Sequence, residues 1–380
     1  MFGLTDGFDL AIGNPPYIPI ESMTQKDKAY YESRFPMLAR KYDLSVVFIL
    51  AVLDLLSRNG VLSYISSITW QTGENYGGVR KRLFTEAGVR LLVNLPFDVF
   101  KAAYVDTGIY LISRERSSGY LLHRFPKTET DFSLTNLPFE SVPTELVQPP
   151  DFKVVLNLKA HSLLQKAKGR SVELGSISES TQGLAGNMFE RTNSSKSREV
   201  FPFVASGQVY RYVLEVTDTF PTDLSDKPSL KRYYETGEKL LIRRVINRED
   251  RLMATVSSER LVFKKDVNPF LITDARFSPK YVLAVLNSRF ISHLYVNTSS
   301  IATKDDFRQT TLGELRRLPI PIPTDGQNKT VTSLVERILA AKQKNPTADT
   351  SALEREIDQQ VYALYGLTPE EIKIVEEQTK

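Results

Sequence analysis

Phe8-Asp9-Leu10-Ala11-Ile12-Gly13-Asn14-Pro15-Pro16-Tyr17 lies near the start of the chain, and the reading of these ten residues decides the fold. Phe8 to Ile12 predicts a strand, which delivers Asn14 to the carboxyl end of a sheet, where open α/β folds place their ligands. The two prolines that follow fix φ and remove two backbone donors, so carbonyls remain as the hydrogen-bonding groups of the turn. The Asn14 side-chain oxygen and the Pro15 carbonyl can therefore accept both hydrogens of an amine. Tyr17 adds a ring on which a planar group can stack. The plain alternative is a strand-ending turn, which Asn-Pro often makes.

Working outward, the chain alternates strands and helices for about 115 residues, the pattern of an α/β sheet. Glu21 to Tyr42 reads as a loop or loose helix containing Tyr30-Tyr31. Asp43 is the expected N-cap of a helix carrying Val46, Val47, Leu50, Leu53 and Leu56, with Gly60 as its stop. Val61 to Ile65 and Val89 to Leu95 are expected strands, with a helix over Val79 to Glu86 between them. Leu95 to Phe100 then leads into a strand over Val105 to Ile112.

The Asp/Asn-Pro-Pro-Tyr signature resembles motif IV of the amino-group DNA methyltransferases, which methylate adenine N6 or, less often, cytosine N4. Tyr42-Asp43-Leu44 with its helix and Gly60-Val61-Leu62-Ser63-Tyr64-Ile65 resembles motifs V and VI, and Val99-Phe100 before a hairpin strand resembles motif VIII. The resemblance implies that Asn14, Pro15 and Pro16 orient the target amine, and that Tyr17 and Phe100 clamp a base flipped out of the duplex. Phe97 is the rival for the second ring.

Only seven residues precede Phe8, too few for the strand and Gly-rich turn that would hold S-adenosylmethionine. The expectation is a chain that forms the C-terminal part of a larger enzyme, with the cofactor-binding half supplied by a missing N-terminal partner segment and weak or no cofactor binding by this chain alone.

Pro126, Pro138, Pro143 and Pro149-Pro150 break the pattern, which sets a boundary near residue 150. Beyond it, short strands and a helix over Lys280 to Tyr295 lead to Leu315-Arg316-Arg317-Leu318-Pro319-Ile320-Pro321-Ile322-Pro323. That run resembles the TaqI-like C-terminal specificity domain, and Ile357 to Thr368 resembles the closing segment of type IIG and BREX-type methyltransferases. Between residues 221 and 320 there are 18 Lys/Arg against 12 Asp/Glu, a balance able to track phosphates. Arg243, Arg244, Arg248, Lys304 and Arg308 are the candidate DNA contacts, each equally readable as a solvated surface charge. Val331 to Leu339 and Leu353 to Leu364 have helical spacing and are expected to pair as a hairpin.

The expected architecture is α/β. A partial Rossmann-like methyltransferase sheet occupies residues 1–150, an α+β target-recognition domain residues 151–325, and C-terminal helices residues 326–380. The implied activity is site-specific adenine-N6 methylation of double-stranded DNA in a restriction-modification or phage-defence system. Alternatives are a DNA-binding specificity module without catalysis, and an RNA or protein methyltransferase. With no cysteine in the chain, disulfides, thiolate metal sites and a cysteine-nucleophile mechanism are excluded. Three scattered histidines offer no metal-ligand spacing. No signal peptide or apolar run of about 20 residues occurs, so the expected location is the cytoplasm, without a membrane.

Overall fold

The computed structural model describes residues 6–38, 40–97, 99–100, 105–126, 129–185, 199–216, 218–222, 224, 228–246, 251–299 and 309–378. These form two compact units, residues 1–158 and 159–380. The fold is mixed α/β.

The first unit is built on β1 (Phe8–Gly13), α1 (Gln25–Arg34), α2 (Leu44–Leu55), β2 (Leu56–Ser67), α3 (Thr69–Thr72), α4 (Gly77–Thr85), β3 (Gly88–Asn94), β4 (Thr107–Ser113), β5 (Gly119–Arg124) and β6 (Glu140–Pro143). The strands form one mixed sheet in the order β1-β2-β4-β3-β5-β6. β1 runs parallel to β2, and β4 is antiparallel to both β2 and β3. The carboxyl ends of β1, β2 and β3 therefore lie at one end of the sheet.

Alternation decides which face is buried. Leu62, Tyr64, Leu92, Tyr110 and Ile112 point toward α2 and α4, and with Val46, Ile49, Leu50, Leu53, Val79 and Leu83 they form the main core of this unit. On the opposite face a smaller cluster of Val93, Leu95 and Phe125 covers part of the sheet. At its edge Leu10 and Ile12 of β1 remain 55% and 76% exposed. An edge strand with outward apolar side chains and one unpaired side is a pairing surface.

Asp43 does cap α2, accepting from the Val46 amide at 3.4 Å. The expected helix stop at Gly60 is corrected: α2 ends at Leu55, and the chain turns directly into β2. The reason is tertiary, since Leu56 pairs with Phe8 and draws the segment into the sheet. At Gly60 a Cβ would sit 2.4 Å from the Phe8 carbonyl oxygen, so the residue serves this close approach.

The second unit comprises α5 (Leu158–Lys168), β7 (Ser171–Glu173), β8 (Ser178–Ser180), β9 (Glu199–Val204), β10 (Val209–Tyr210), β11 (Val213–Leu214), β12 (Asp218–Thr222), α6 (Pro228–Lys231), β13 (Lys239–Arg243), β14 (Ala254–Ser257), β15 (Val262–Phe263), β16 (Val267–Ile272), α7 (Pro279–Asn287), α8 (Arg289–Thr298), α9 (Leu312–Arg316), β17 (Pro319–Pro321), α10 (Asp325–Lys344), α11 (Ser351–Tyr365) and α12 (Pro369–Gln378). Its sheets are small: β14-β13-β16-β8, β12-β9-β15 and two ribbons.

The single helix expected over residues 280–295 is two, because Ser288 breaks it and caps the second by accepting from the Ile291 amide at 3.3 Å. The Pro-Ile-Pro run is an edge strand paired with β7. The Pro319 and Pro321 carbonyls accept from the Tyr365 and Tyr281 hydroxyls at 2.6 and 3.0 Å. After α11 and its left-handed Gly366, a third helix, α12, starts at Pro369, where the sequence predicts only a stop. Thr368 caps it, exchanging hydrogen bonds with Glu371.

Within this unit a set of ionic side chains ties α11 to α8. Asp358 is buried and accepts from the Arg289 amide at 2.8 Å, with the Arg289 guanidinium at 3.5 Å. Glu354, one turn earlier, pairs with Arg211 at 3.1 Å. Buried Arg251 donates to the Asn287 carbonyl at 2.6 Å, and desolvation pushes its guanidinium down to about 10.

His293 of α8 is also buried, and its Nε2 has no partner among the described residues. Burial pushes its pKa down to about 4. The unfolded chain binds a proton below about 6.5 that the folded chain refuses, so stability is complete above that pH and declines as pH falls toward 4. A loss on the order of 2 kcal/mol by pH 5 is expected, read from urea unfolding midpoints at pH 7.5 and 5. In His293→Gln this part of the pH dependence should vanish; an unchanged slope would assign the loss to other groups.

Candidate active site

The residues after β1 leave the sheet in an extended path that neighbouring chain holds in place. Leu44 N–H donates to the Ile18 carbonyl at 2.8 Å, and Ile20 N–H to the Tyr42 carbonyl at 2.9 Å. Asp43 thus stands at a junction: it caps α2, bridges to Pro19, and accepts from the Tyr76 hydroxyl at 3.1 Å and from Ser45. The sequence reading assigned Asp43 only the cap; its second role needs a contact 33 residues away.

Asn14 is exposed, Pro15 buried, Pro16 exposed and Tyr17 half-buried. The Tyr17 hydroxyl donates to Asn14 Oδ1 at 2.6 Å and lies 3.3 Å from the Ile65 carbonyl of β2. Burial raises the phenol pKa, so the hydroxyl remains a donor at neutral pH. That bond orients the Asn14 amide and leaves Oδ1 a second lone pair for a ligand.

Phe100 meets Tyr17 with ring centroids 6.3 Å apart and planes at 62°. The structure thus brings Asn14, Pro15, Pro16, Tyr17 and Phe100 to one place at the carboxyl end of the sheet. The two rings stand edge to face; a planar ligand between them would require one ring to turn. Phe97 is half-buried on the same segment.

Behind this shell, Gln71 and Asn94 exchange a reciprocal pair of amide hydrogen bonds at 3.0 and 2.9 Å, both buried. The pair ties the turn after β2 to the end of β3. Neither residue was singled out from sequence, because the signal is a 23-residue separation with no local pattern.

In the second unit, Arg243 ends β13 and places Nη1 3.6 Å from Met253 Sδ. Arg244 follows with its backbone clamped on both sides, its N–H donating to Asp266 O at 2.8 Å and its carbonyl accepting from Thr310 N–H at 2.6 Å. Both side chains are half-exposed. Arg248, Lys304 and Arg308 lie outside the described residues. Among the described residues no group of His, Asp or Glu side chains is placed to hold a metal ion, and no helix is long and apolar enough to cross a membrane.

Residues 1–100 match the family profile of the Eco57I restriction-modification methylase, and residues 203–320 that of the TaqI-like C-terminal specificity domain. A Methanocaldococcus jannaschii protein named as a type II restriction enzyme and methyltransferase, RM.MjaORFECS2P, is 33% identical over 96% of this chain. The type II methyltransferase M.PaeR7I of Pseudomonas aeruginosa is 23% identical over 96% of it. The chain spans 32% of the first relative's length and 71% of the second's. Among solved structures, the type IIL restriction-modification enzyme MmeI in complex with DNA matches with a TM-score of 0.61 over 97% of this chain and 56% of its own, at 11% identity. The type ISP enzyme LlaGI, in complex with a DNA substrate mimic, matches with a TM-score of 0.54 over 87% of this chain and 35% of its own, at 13% identity. At such identities the likeness concerns the fold.

Proposed function

This chain joins a segment of the Eco57I restriction-modification methylase family to a TaqI-like specificity domain, and from that premise we propose that it forms the target-base and sequence-reading part of a site-specific adenine-N6 DNA methyltransferase. The observation that carries the reading is the exposed Asn14 amide, oriented by the Tyr17 hydroxyl at the end of β1. An adenine turned out of the duplex would place its exocyclic amine between Asn14 Oδ1 and the Pro15 carbonyl, both acceptors. Accepting both hydrogens draws electron density onto the nitrogen and directs its lone pair at the methyl donor. Tyr17 and Phe100 supply aromatic surface for the displaced base, stacking being worth about 1 to 3 kcal/mol per contact.

S-adenosylmethionine is the methyl donor in this reading. Beside β1 the outward Leu10 and Ile12 lie open. We therefore assign the cofactor to additional polypeptide that pairs with this edge, and assign DNA contacts rather than turnover to the isolated chain, in a cytoplasmic defence setting. Arg243 and Arg244 are the described candidates for phosphate or base contact, Arg244 on a backbone held from two sides.

The test is retention of a random duplex-DNA library by this chain at near-physiological salt, followed by sequencing. The expected outcome is an enriched motif of several base pairs containing adenine, with Arg244→Ala lowering affinity about tenfold or more. Retention without enrichment that disappears as salt rises would leave only phosphate contact. Preference for RNA, or no retention of nucleic acid, would replace the reading with a methyltransferase acting on RNA or protein.

A further inference from the structure

Gly13, Tyr64 and Tyr110 are register partners on three neighbouring strands, β1, β2 and β4, and their side-chain positions share the face covered by α2 and α4. A Cβ at position 13 would meet the Tyr64 ring, 3.1 Å from Cε1 and 3.5 Å from Cδ1. A side chain at 13 would therefore oblige the ring to give way by a few tenths of an ångström. Tyr64 in turn stands edge-on to Tyr110 at 6.4 Å, and Tyr110 edge-on to Trp70 at 5.6 Å. All three rings are buried.

The row ends on Arg80, whose side chain is wholly buried. Its Nη1 donates to the carbonyls of Trp70 and Gly73 at 2.9 and 2.7 Å, and its Nε to that of Asp151 at 2.9 Å. Close-packed aromatic rows do not compress, because each ring would have to leave its rotamer well. At one end of this row a guanidinium holds the backbone carbonyl of Trp70; the other end stands beside Gly13, the residue directly before Asn14, with no room for a side chain there unless the ring shifts.

We propose that Tyr64 is a positioning residue for Asn14, its ring setting the height at which the Gly13–Pro15 backbone leaves the sheet. The inference rests on the reading of Asn14 as the amine acceptor. The phenol hydroxyl plays no part in it; ring volume does. Loss of the ring would let the Gly13 backbone settle toward the face, moving Oδ1 off the target nitrogen, and a displacement of about 1 Å is enough to cost on the order of a hundredfold in rate.

The experiment measures kcat and KM for methylation of a long unmodified DNA by the full-length polypeptide carrying these residues, with thermal melting of each variant. Tyr64→Leu is expected to lower kcat about 10- to 100-fold while KM for DNA changes less than about threefold. Tyr64→Phe, which keeps the ring, should stay within about threefold of wild type in both. Gly13→Ala removes no core side chain, so it reads the same contact even if Tyr64→Leu does not fold. It too should lower kcat, and adding Tyr64→Leu to it should cost less than the two single losses combined. Wild-type kcat in Tyr64→Leu, or in Gly13→Ala where the former does not fold, overturns the proposal. So does Tyr64→Phe behaving like Tyr64→Leu, or additive losses in the double variant. If the wild-type polypeptide methylates DNA and Asn14→Ala does so equally well, the acceptor reading itself has failed, and this inference with it.

Discussion

Asn14→Ala, in the full-length polypeptide carrying these residues, is expected to reduce methyl transfer by about 10²- to 10³-fold while leaving retention of DNA nearly unchanged. The alanine removes the side-chain acceptor that the Tyr17 hydroxyl orients at the carboxyl end of β1. It also leaves the Tyr17 hydroxyl without its 2.6 Å partner. Both losses fall on the step in which the amine nitrogen gives its lone pair to the methyl carbon as the sulfur–methyl bond breaks, and its hydrogens, increasingly positive, are held by the acceptors, so they belong in kcat and not in KM. Asn14→Asp separates the two contributions, since a carboxylate still accepts from Tyr17 and from an amine. It should retain more activity than alanine. An Asn14→Ala variant that methylates at the wild-type rate would remove Asn14 from the chemistry.

Asp358→Ala is expected to destabilise the second unit by about 3 to 5 kcal/mol in urea unfolding at pH 7, the usual result of stripping one partner from a buried ionic set. Burial raises the Asp358 pKa, the cost of taking the carboxylate out of water exceeding the return from Arg289, Arg251 and Arg211. Removing the carboxylate leaves the Arg289 amide at the start of α8 without its acceptor, and leaves Arg251 facing Arg211 and Arg289 with Glu354 but no longer Asp358 to offset them. Asp358→Asn can still accept from the Arg289 amide and should cost distinctly less. Equal losses for the two variants would mean that the charge, which both remove, carries the effect and that the hydrogen bond to the Arg289 amide adds little.

The ten strand and turn residues Phe8 to Tyr17 are legible because their chemistry is local. Proline lacks an N–H wherever it folds, and Phe8 to Ile12 alternates whatever it packs on. The cap at Asp43 was legible for the same reason. The misreadings share one cause. Gly60 looked like a helix stop, yet pairing between Leu56 and Phe8, 48 residues apart, ended the helix earlier. Residues 280–295 looked like one helix, because their apolar spacing continues through Ser288, whose side chain chose to cap the next turn. Pro369 looked like an ending and is a beginning, since a proline in the first turn of a helix loses no hydrogen bond.

By itself the sequence determined that an amide and a carbonyl, both acceptors, would follow an apolar strand and precede an aromatic ring, and that none of these 380 residues supplies a thiol. Only the tertiary structure decided that the Tyr17 hydroxyl holds the Asn14 amide, that Phe100 meets Tyr17 at an edge, that Gln71 and Asn94 brace the turn behind them, and that a ring rests on Gly13. The division follows from range: backbone donors, turns and caps depend on residues a few places apart, whereas strand register and burial bring together side chains that share no pattern along the chain.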